Sequence, residues 1–245
     1  MVINVIDSVD NKKIKNLRKL KDKKYRDKKK LYLVEGEHLV LEAYKNNVLK
    51  EVLLYDFDID LDVKKTNVSL QVMKSLSDLT TPNKIIGVCE IKENTSIDYN
   101  RVLLLDNVQD PSNLGAIIRS MVAFNYDTLI ISNDSVDIYN SKVLRAAQGM
   151  IYSVNVYRKD IASEIRKLKN NNYKIYGTNV RNGISIKNVK KTDKYAIIMG
   201  NEGNGISDEI EKLCDKNIYI DINNNCESLN VSVAASIILY ELNRW

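Results

Sequence analysis

The stretch GNEGNG, residues 200–205, decides how the C-terminal part of this chain folds. It lies between an apolar run, residues 195–199, and residues 206–214, whose pattern predicts a helix. Glycines in a strand-to-helix connection let the backbone approach a ligand closely, and the start of the helix offers free N–H groups. We therefore expect a ligand-binding loop here. A glycine-rich turn that binds nothing is the alternative.

A dinucleotide is the first ligand to consider for this loop. The glycines follow the order G-x-x-G-x-G, whereas the dinucleotide fingerprint is G-x-G-x-x-G. Asp221 does lie about twenty residues downstream, as that fingerprint requires, but the glycine that admits the pyrophosphate is misplaced. His38 is the only histidine of the chain, so a hydride-transfer enzyme would lack an evident acid–base group. These observations argue against a dinucleotide.

The sequence around the loop alternates short apolar runs with amphipathic segments. In the second part of the chain we predict strands at 102–105, 128–132, 153–157, 173–176, 195–199 and 218–220, and helices at 112–124, 141–148, 161–169, 206–214 and 230–242. Apolar strands separated by helices are typical of a parallel sheet covered on both faces, an α/β fold. In such sheets ligands bind beyond the carboxyl ends of the strands.

The first part of the chain has the pattern of a smaller α/β unit. We predict helices at 11–30, 38–45 and 75–79, and strands at 31–34, 52–55 and 85–91. A polar stretch at 93–100 separates the two parts, which indicates a domain boundary. The sequence therefore predicts two domains, residues 1–95 and residues 96–245.

The charge of the chain is concentrated near its start. The whole sequence of 245 residues carries a net charge of +5, yet twelve of the twenty residues at 11–30 are Lys or Arg. Such a segment favours a polyanionic partner such as nucleic acid, because each neutralised phosphate releases counterions. A solvated basic helix without a partner is the alternative.

Several classes of protein are disfavoured by composition. The three cysteines, Cys89, Cys214 and Cys226, form no CxxC pair, so neither a disulfide framework nor a zinc site is predicted. There is no apolar run of about 18 residues and no signal-peptide pattern at the start. We expect a cytoplasmic protein without a metal and without a membrane partner.

Two further polar segments follow predicted strands, at 106–115 and 223–230. In the first, Asp110 and Pro111 suit the N-cap and the first turn of a helix. Arg119 lies off the apolar stripe of that helix, where it is either an anion ligand or an ordinary solvated side chain. In the second, Ser228 is the predicted N-cap of the last helix.

Together, three segments resemble the three motifs of the SpoU/TrmH family (SPOUT superfamily), the S-adenosylmethionine-dependent RNA 2′-O-ribose methyltransferases. They are DNVQDPSNLGAIIRS (106–120), IIMGNEGNGIS (197–207) and ESLNVSVAASI (227–237). Their order and spacing match the family, and the resemblance covers about residues 100–245. Residues 15–43 are similar to the family's substrate-binding domain, which has a ribosomal-protein-like α/β fold.

The resemblance implies a parallel-sheet methyltransferase domain with a deep trefoil knot, which works as a homodimer through this C-terminal domain. It also implies S-adenosylmethionine as the cofactor. The family's functional positions fall here on Arg119, Asn113, Ser228, Asn230 and Glu202. The implied cofactor-binding residues are Thr178, Gly200, Asn201, Gly203, Gly205, Ile220 and Leu229.

The implied reaction transfers a methyl group to a ribose 2′-hydroxyl, with ribosomal RNA as the expected substrate. A transfer RNA substrate, methylation of a base nitrogen, and a non-catalytic RNA-binding or ribosome assembly factor on the same fold are the alternatives. For the basic segment we predict RNA contacts by Lys12, Lys13, Arg18, Lys19, Lys23, Lys24 and Arg26. Deleting residues 1–30 is expected to weaken RNA binding and flatten its salt dependence.

The sequence allows two roles for Arg119. Free arginine stays protonated to about pH 12.5, so a neutral guanidine at pH 7 costs about 7–9 kcal/mol. Arg119 therefore acts either as a base assisted by an RNA phosphate or as a clamp that holds a phosphate and stabilises charge on the 2′-oxygen.

One position departs from the family's pattern. The strand before the third motif usually ends Ile-Pro-Met, whereas this chain has Ile220-Asp221-Ile222. The sequence leaves open how the added carboxylate affects the cofactor pocket.

Overall fold

The computed structural model describes residues 5–92, 99, 101–180, 182–190 and 192–243. Its strands are β1 (Val5–Ile6), β2 (Leu31–Glu35), β3 (Leu49–Leu54), β4 (Lys64–Val68), β5 (Ile85–Glu90), β6 (Val102–Leu105), β7 (Thr128–Ile131), β8 (Asn155–Arg158), β9 (Lys174–Thr178), β10 (Ile184–Ser185), β11 (Tyr195–Met199) and β12 (Lys216–Tyr219). Its helices are α1 (Lys12–Arg18), α2 (Lys23–Lys29), α3 (Glu37–Lys45), α4 (Leu70–Leu76), α5 (Pro111–Ala123), α6 (Ser141–Ala147), α7 (Ile161–Asn170), α8 (Asp208–Glu211) and α9 (Val231–Asn243).

The chain divides into two compact units. The first comprises Met1–Glu93 and Tyr139–Tyr152, and the second comprises Asn94–Ile138 and Ser153–Trp245. The stretch predicted as the boundary, 93–100, lies outside the described residues except for Tyr99. The segment Tyr139–Tyr152 belongs to the first unit, although the sequence suggested a continuous second domain from residue 96.

The sheet of the first unit is mixed. Its order is β1-β4-β3-β5-β2, with β3 and β4 parallel and β5 antiparallel to both of its neighbours. The strand β4 was not predicted, because its sequence KKTNV is polar and only Val68 is buried. The helix predicted at 75–79 instead occupies Leu70–Leu76, where Val72, Met73 and Leu76 face the core.

The basic segment forms two helices rather than one. A short 3-10 turn, Lys19–Lys21, separates α1 from α2, and the Asp22 side chain caps α2 by accepting from the Lys24 N–H at 2.9 Å. Ile14, Leu17 and Leu20 are buried in a cluster with residues of β3, α4 and β5. The segment is therefore part of the core of the first unit as well as a charged surface.

The segment Tyr139–Tyr152, which includes α6, is anchored to the first unit by polar and aromatic contacts. The Tyr32 hydroxyl donates to the Tyr152 hydroxyl at 3.0 Å, and the Ser141 hydroxyl donates to the Asp78 carboxylate at 2.6 Å. Tyr32 also stacks at a tilt on Tyr139, with ring centroids 4.5 Å apart.

The sheet of the second unit is parallel throughout the described strands, as predicted. Its order is β10-β12-β9-β11-β6-β7-β8. All four residues of β6 and of β7, and all five of β11, are buried, which agrees with helices covering both faces.

The helix after the glycine loop is much shorter than predicted. It covers Asp208–Glu211 rather than 206–214, because the chain turns at Leu213 and the Asp215 N–H already donates to Ile175 of β9. No helix in the described part of the chain is long and apolar enough to cross a bilayer.

Candidate active site

The first two motif segments meet at the carboxyl edge of the parallel sheet. Strands β6 and β11 are direct neighbours, and the Asp106 N–H after β6 donates to the Met199 carbonyl at 2.8 Å. The Asp106 carboxylate then accepts from the backbone N–H and the hydroxyl of Ser207, at 2.9 and 2.8 Å. Both segments therefore lie side by side at the carboxyl edge of the sheet, where a parallel sheet is expected to bind ligands.

The loop GNEGNG closes on itself. Asn201 and Gly205 exchange two backbone hydrogen bonds of 2.9 Å, and the Asn201 side chain accepts from the N–H groups of Gly203 and Asn204. A Cβ on Gly200 would lie 2.0 Å from the Gly205 carbonyl carbon, so no other residue fits there. Gly205 has φ +70°, and a Cβ on it would meet no atom within 4 Å.

Glu202 of this loop receives donors from the start of α5. Its carboxylate accepts from the backbone N–H of Asp110 at 3.0 Å, the N–H of Gln109 at 3.3 Å and the Asn113 side-chain amide at 3.0 Å. Burial alone would raise the pKa of Glu202, but these hydrogen bonds outweigh it and hold the pKa below its ordinary value. Glu202 is therefore an ionised carboxylate whose position is fixed.

The third motif segment joins this network through two amides. The Asn230 side chain donates to the Asn113 side-chain oxygen at 2.9 Å, so Glu202, Asn113 and Asn230 form one chain of hydrogen bonds. The Asn230 oxygen also accepts from the N–H and the hydroxyl of Ser232, at 2.9 and 2.6 Å. Asn230 therefore caps α9, and the prediction that Ser228 is the N-cap was wrong.

A pocket of about 680 Å³ opens beside the glycine loop. Its walls come from the ends of β9 and β12, the loop itself and the start of α9. Every residue predicted to bind the cofactor lies in these walls: Thr178, Gly200, Asn201, Gly203, Gly205, Ile220 and Leu229. Pockets of about 300–1,000 Å³ are the size that small ligands and cofactors occupy.

The predicted catalytic residues are distributed around this pocket. Glu202 and Ser228 line it, and Asn113 and Asn230 connect to Glu202 by the hydrogen bonds described above. Arg119 is not among the lining residues; it lies on the exposed side of α5, and its side chain makes no hydrogen bond or ion pair with a described residue. Its guanidinium is available to an anion from solution.

Sequence reasoning missed part of the pocket wall. Asn179 and Val180 follow Thr178 at the end of β9. Ligands bind beyond the carboxyl ends of parallel strands, so both residues could have been predicted from their position. Val231, Ala234 and Ile238 line the pocket from α9. Their spacing of three and four residues is the signal of one helical face.

Asp221, the departure from the family pattern, does not line the pocket. Ile220 and Ile222 on either side of it do. The Asp221 carboxylate instead accepts from the Ser185 hydroxyl at 2.5 Å and lies 3.4 Å from the Lys187 ammonium.

The pocket suits a nucleoside with a cationic sulfonium. Half-buried apolar side chains such as Ile220 and Leu229 can cover an adenine ring, and the lining contains the carboxylates of Asp208 and Glu211. The open space beside Gly205, which a Cβ would enter, agrees with a ligand approaching the loop backbone. Among the described residues, no group of three or more His, Cys, Asp or Glu side chains is placed to hold a metal ion.

The basic segment of the first unit presents some of its predicted RNA contacts and not others. Five of them are exposed: Lys12, Arg18, Lys19, Lys23 and Lys24. Lys13 is half-buried and donates to Glu51 and to the Thr66 hydroxyl.

Arg26 corrects a prediction of the sequence analysis. It is 5% exposed, and its guanidinium donates to the carbonyls of Leu20 and Lys21 at 2.6 and 2.8 Å. This geometry is that of a side chain that holds α2 against the preceding turn. It argues against the predicted RNA contact.

The chain matches two family descriptions. Residues 100–240 match the SpoU rRNA Methylase family, and residues 11–87 match the MRM3-like substrate binding domain.

Curated relatives and solved structures match over nearly the whole chain. The 23S rRNA (guanosine(2553)-2′-O)-methyltransferase RlmP of Bacillus subtilis is 36% identical over 243 residues, which cover 97% of this chain and 98% of that protein. A structure from Porphyromonas gingivalis, described as an RNA methyltransferase of the TrmH family, superimposes with a TM-score of 0.86 at 26% identity and covers 97% of this chain and 99% of its own. An RNA 2′-O ribose methyltransferase superimposes with a TM-score of 0.85 at 25% identity, covering 98% of both chains.

The parallel sheet, the three joined motif segments and the pocket beside them define a methyltransferase that acts on RNA. The chain belongs to the SpoU rRNA Methylase family, as the resemblance of its three motifs predicted.

Proposed function

We propose that this chain transfers a methyl group from S-adenosylmethionine to a ribose 2′-hydroxyl of ribosomal RNA. The observation that carries the proposal is the hydrogen-bonded chain Glu202–Asn113–Asn230, which joins all three motif segments beside the pocket. Side chains that are held in place in this way contribute to catalysis because they need no reorganisation during the reaction.

The pocket beside the glycine loop is the proposed cofactor site. S-Adenosylmethionine supplies a methyl group on a positively charged sulfur. Gly205, beside which the space is open, allows the loop backbone to come close to this ligand, whereas Gly200 lets the loop close on itself. Ile220 and Leu229 provide apolar walls. The carboxylates of Asp208 and Glu211 complement the charge of the sulfonium.

Arg119 is the proposed contact to the RNA at the reacting sugar. Because it has no partner among the described residues, its guanidinium can bind a backbone phosphate and stabilise negative charge that develops on the 2′-oxygen. In free arginine, loss of a proton at pH 7 costs about 7–9 kcal/mol, so a guanidinium that clamps a phosphate requires less of the protein than one that acts as a base. If the methylation rate rises with pH in the wild type but not in a variant without Arg119, the role of Arg119 as a base is favoured instead.

Asn113, Glu202, Asn230 and Ser228 shape the nucleotide site in this proposal. The ionised Glu202 fixes the orientation of the Asn113 amide, and Asn113 in turn fixes Asn230 at the start of α9. Ser228 is exposed at the pocket rim, where its hydroxyl is free to meet the substrate.

Two finer features of the second unit are part of the proposal. The first is the deep trefoil knot, supported by membership of the family. The second is a homodimer through this unit, supported by an apolar stripe on α9: Val233, Ile237 and Tyr240 are 47%, 37% and 53% exposed. Their spacing of four and three residues puts them on one helical face, and exposed apolar stripes of this kind mark protein interfaces.

The proposed substrate is 23S rRNA, at the guanosine that corresponds to the one named for the B. subtilis relative. The first unit, which matches a substrate binding domain, would select the RNA, and the exposed lysines would add affinity through phosphates. Ribose methylation requires RNA rather than DNA, since only RNA carries the acceptor hydroxyl. The reaction would take place in the cytoplasm.

Mapping 2′-O-methyl groups tests this proposal. Purified chain, S-adenosylmethionine and either 23S rRNA or transfer RNA lacking the modification are combined, and methylated positions are read by sequencing after alkaline hydrolysis. A single protected ribose in 23S rRNA is the expected result. Methylation of transfer RNA alone, of a base nitrogen, or of no RNA despite tight binding would each contradict the proposal and favour the respective alternative.

A further inference from the structure

The segment that follows β12 forms a wall of the pocket without strand pairing of its own. The described pairing of β12 ends at Tyr219, which is in register with Ser185 of β10. Beyond that point Ile220 and Ile222 line the pocket, whereas Asp221 between them does not. The Asp221 carboxylate therefore lies on the side away from the pocket, unlike the isoleucines that flank it.

Asp221 is the residue by which this segment is attached to the neighbouring strand. Its carboxylate accepts from the Ser185 hydroxyl at 2.5 Å and pairs with Lys187 at 3.4 Å. The hydrogen bond from Ser185 is the main reason that the pKa of Asp221 lies below its ordinary value, and Lys187 adds to it. Asp221 is thus an ionised group at neutral pH.

Ser185, the hydrogen-bond partner of Asp221, belongs to an anchored element. Ser185 is only 9% exposed, and Ile186, which follows it, is 5% exposed. At the entrance to β10, a Cβ on Gly183 would lie 2.2 Å from the Asn217 carbonyl oxygen, so β10 is held closely against β12. Because the Asp221 carboxylate is hydrogen-bonded to this element, the backbone at residue 221 is held in place as well.

We infer that Asp221 is a positioning residue for the cofactor: its contacts with Ser185 and Lys187 hold residues 220–222 so that Ile220 and Ile222 form the pocket wall. The inference rests on the proposed assignment of this pocket to S-adenosylmethionine. It also explains how the chain dispenses with the proline expected at position 221. Proline stiffens a segment by fixing φ, whereas Asp221 stiffens it by binding to the adjacent strand.

The experiment measures the dissociation constant of S-adenosylhomocysteine by isothermal titration calorimetry on the full chain, with the melting temperature as a check on folding. Asp221→Ala is expected to weaken binding about three- to tenfold, since a charge-assisted hydrogen bond and a partly exposed ion pair are lost. Ser185→Ala should give a similar loss. Asp221→Asn keeps an acceptor for Ser185 and should lose less.

A proline variant separates positioning from a general effect on stability. Asp221→Pro restores a local restraint without any carboxylate, so it is expected to bind within about twofold of the wild type. Lys190→Ala is the matched control for Lys187→Ala, because Lys190 is exposed in the same segment and makes no ion pair with a described residue. Only the Lys187 variant should weaken binding.

Two results would overturn the inference. Unchanged binding by Asp221→Ala would show that the carboxylate does not position the wall. A loss in Asp221→Ala that Asp221→Pro does not restore would show that the carboxylate matters for another reason. Failure of the wild-type chain to bind S-adenosylhomocysteine would instead reject the pocket assignment itself, so the two failures are distinguishable.

Discussion

The two units of this molecule present their functional side chains in opposite ways. In the second unit, Glu202, Asn113 and Asn230 are fixed to one another by hydrogen bonds of 2.9–3.0 Å. In the first unit, predicted RNA contacts such as Lys12 and Lys24 are exposed side chains of a basic segment. This contrast has a physical reason: methyl transfer demands fixed geometry, whereas attraction of a phosphate backbone demands mainly charge.

Among the variants that test this contrast, Arg119→Ala is expected to have the largest effect. Methylation should fall by about a thousandfold or more, because a charge-stabilising donor at the reacting centre is removed. The dissociation constant of S-adenosylhomocysteine should stay within about twofold of wild type, since Arg119 does not line the pocket.

Arg166→Ala is the matched control for Arg119, because Arg166 is an exposed arginine of α7 that makes no ion pair with a described residue. Single-turnover methylation assays compare the two variants. Near-normal turnover by Arg119→Ala would remove Arg119 from the reaction.

The next effect concerns the glycine loop. Gly200→Ala should weaken S-adenosylhomocysteine binding by about a hundredfold, because the added Cβ would lie 2.0 Å from the Gly205 carbonyl carbon and force the loop apart. Gly203→Ala compares a glycine of the same loop at which the added Cβ would have its nearest neighbour 3.6 Å away, so it should weaken binding much less than Gly200→Ala. Equal losses in the two variants, measured by calorimetry, would contradict the proposed loop geometry.

Glu202→Gln should lower methylation about tenfold by weakening the hold on Asn113. The pKa of Glu202 is lowered, so its contribution to stability is present above the ordinary carboxyl value and is lost only as the pH falls through the lower folded value. The pH–rate profile between about pH 6 and pH 9 should therefore have the same shape in both proteins. If the rate of the wild type falls at the acidic end of this range and the rate of Glu202→Gln does not, Glu202 is not ionised as described.

The smallest effect is expected from the first unit. Lys24→Ala should weaken RNA binding only a few-fold and reduce the slope of log affinity against log salt by about one, as for a single phosphate contact.

Arg26→Met should leave that slope unchanged but lower the free energy of unfolding by about 1–3 kcal/mol, because buried charge-assisted hydrogen bonds are lost. Binding at several salt concentrations measures the slope, and urea titration measures the free energy of unfolding. A reduced slope in Arg26→Met would support the RNA contact that was predicted for Arg26.

The deletion of residues 1–30, expected from sequence to report on RNA binding, is unsuitable for that purpose. It would remove Ile14, Leu17 and Leu20 from the core of the first unit. Point substitutions of exposed lysines are the appropriate test.

Much of the second unit could be predicted from its sequence because each buried strand is a continuous apolar run. The strand at Tyr195–Met199 illustrates this. The seven cofactor positions around the pocket were implied by the resemblance of the three motifs, not by the apolar pattern. The polar strand β4 could not be found, since its burial depends on neighbouring strands rather than on its own pattern.

Side-chain partners were the least predictable part of the site. Ser228 and Asn230 are both good capping residues by type, and only the geometry selects Asn230. Likewise, Arg26 belongs to a run of basic residues, and its burial depends on where the chain turns at Leu20 and Lys21.

The position of Tyr139–Tyr152 has a consequence for the order in which this protein folds during synthesis. These residues follow β7 in sequence, yet they pack in the first unit, where Tyr152 and Ser141 bind Tyr32 and Asp78. The N-terminal unit is therefore complete only after more than half of the chain has left the ribosome. A nascent chain stalled before that point would leave Tyr32 without its contacts to Tyr139 and Tyr152, and an N-terminal fragment that ends near residue 95 would lack part of its own unit.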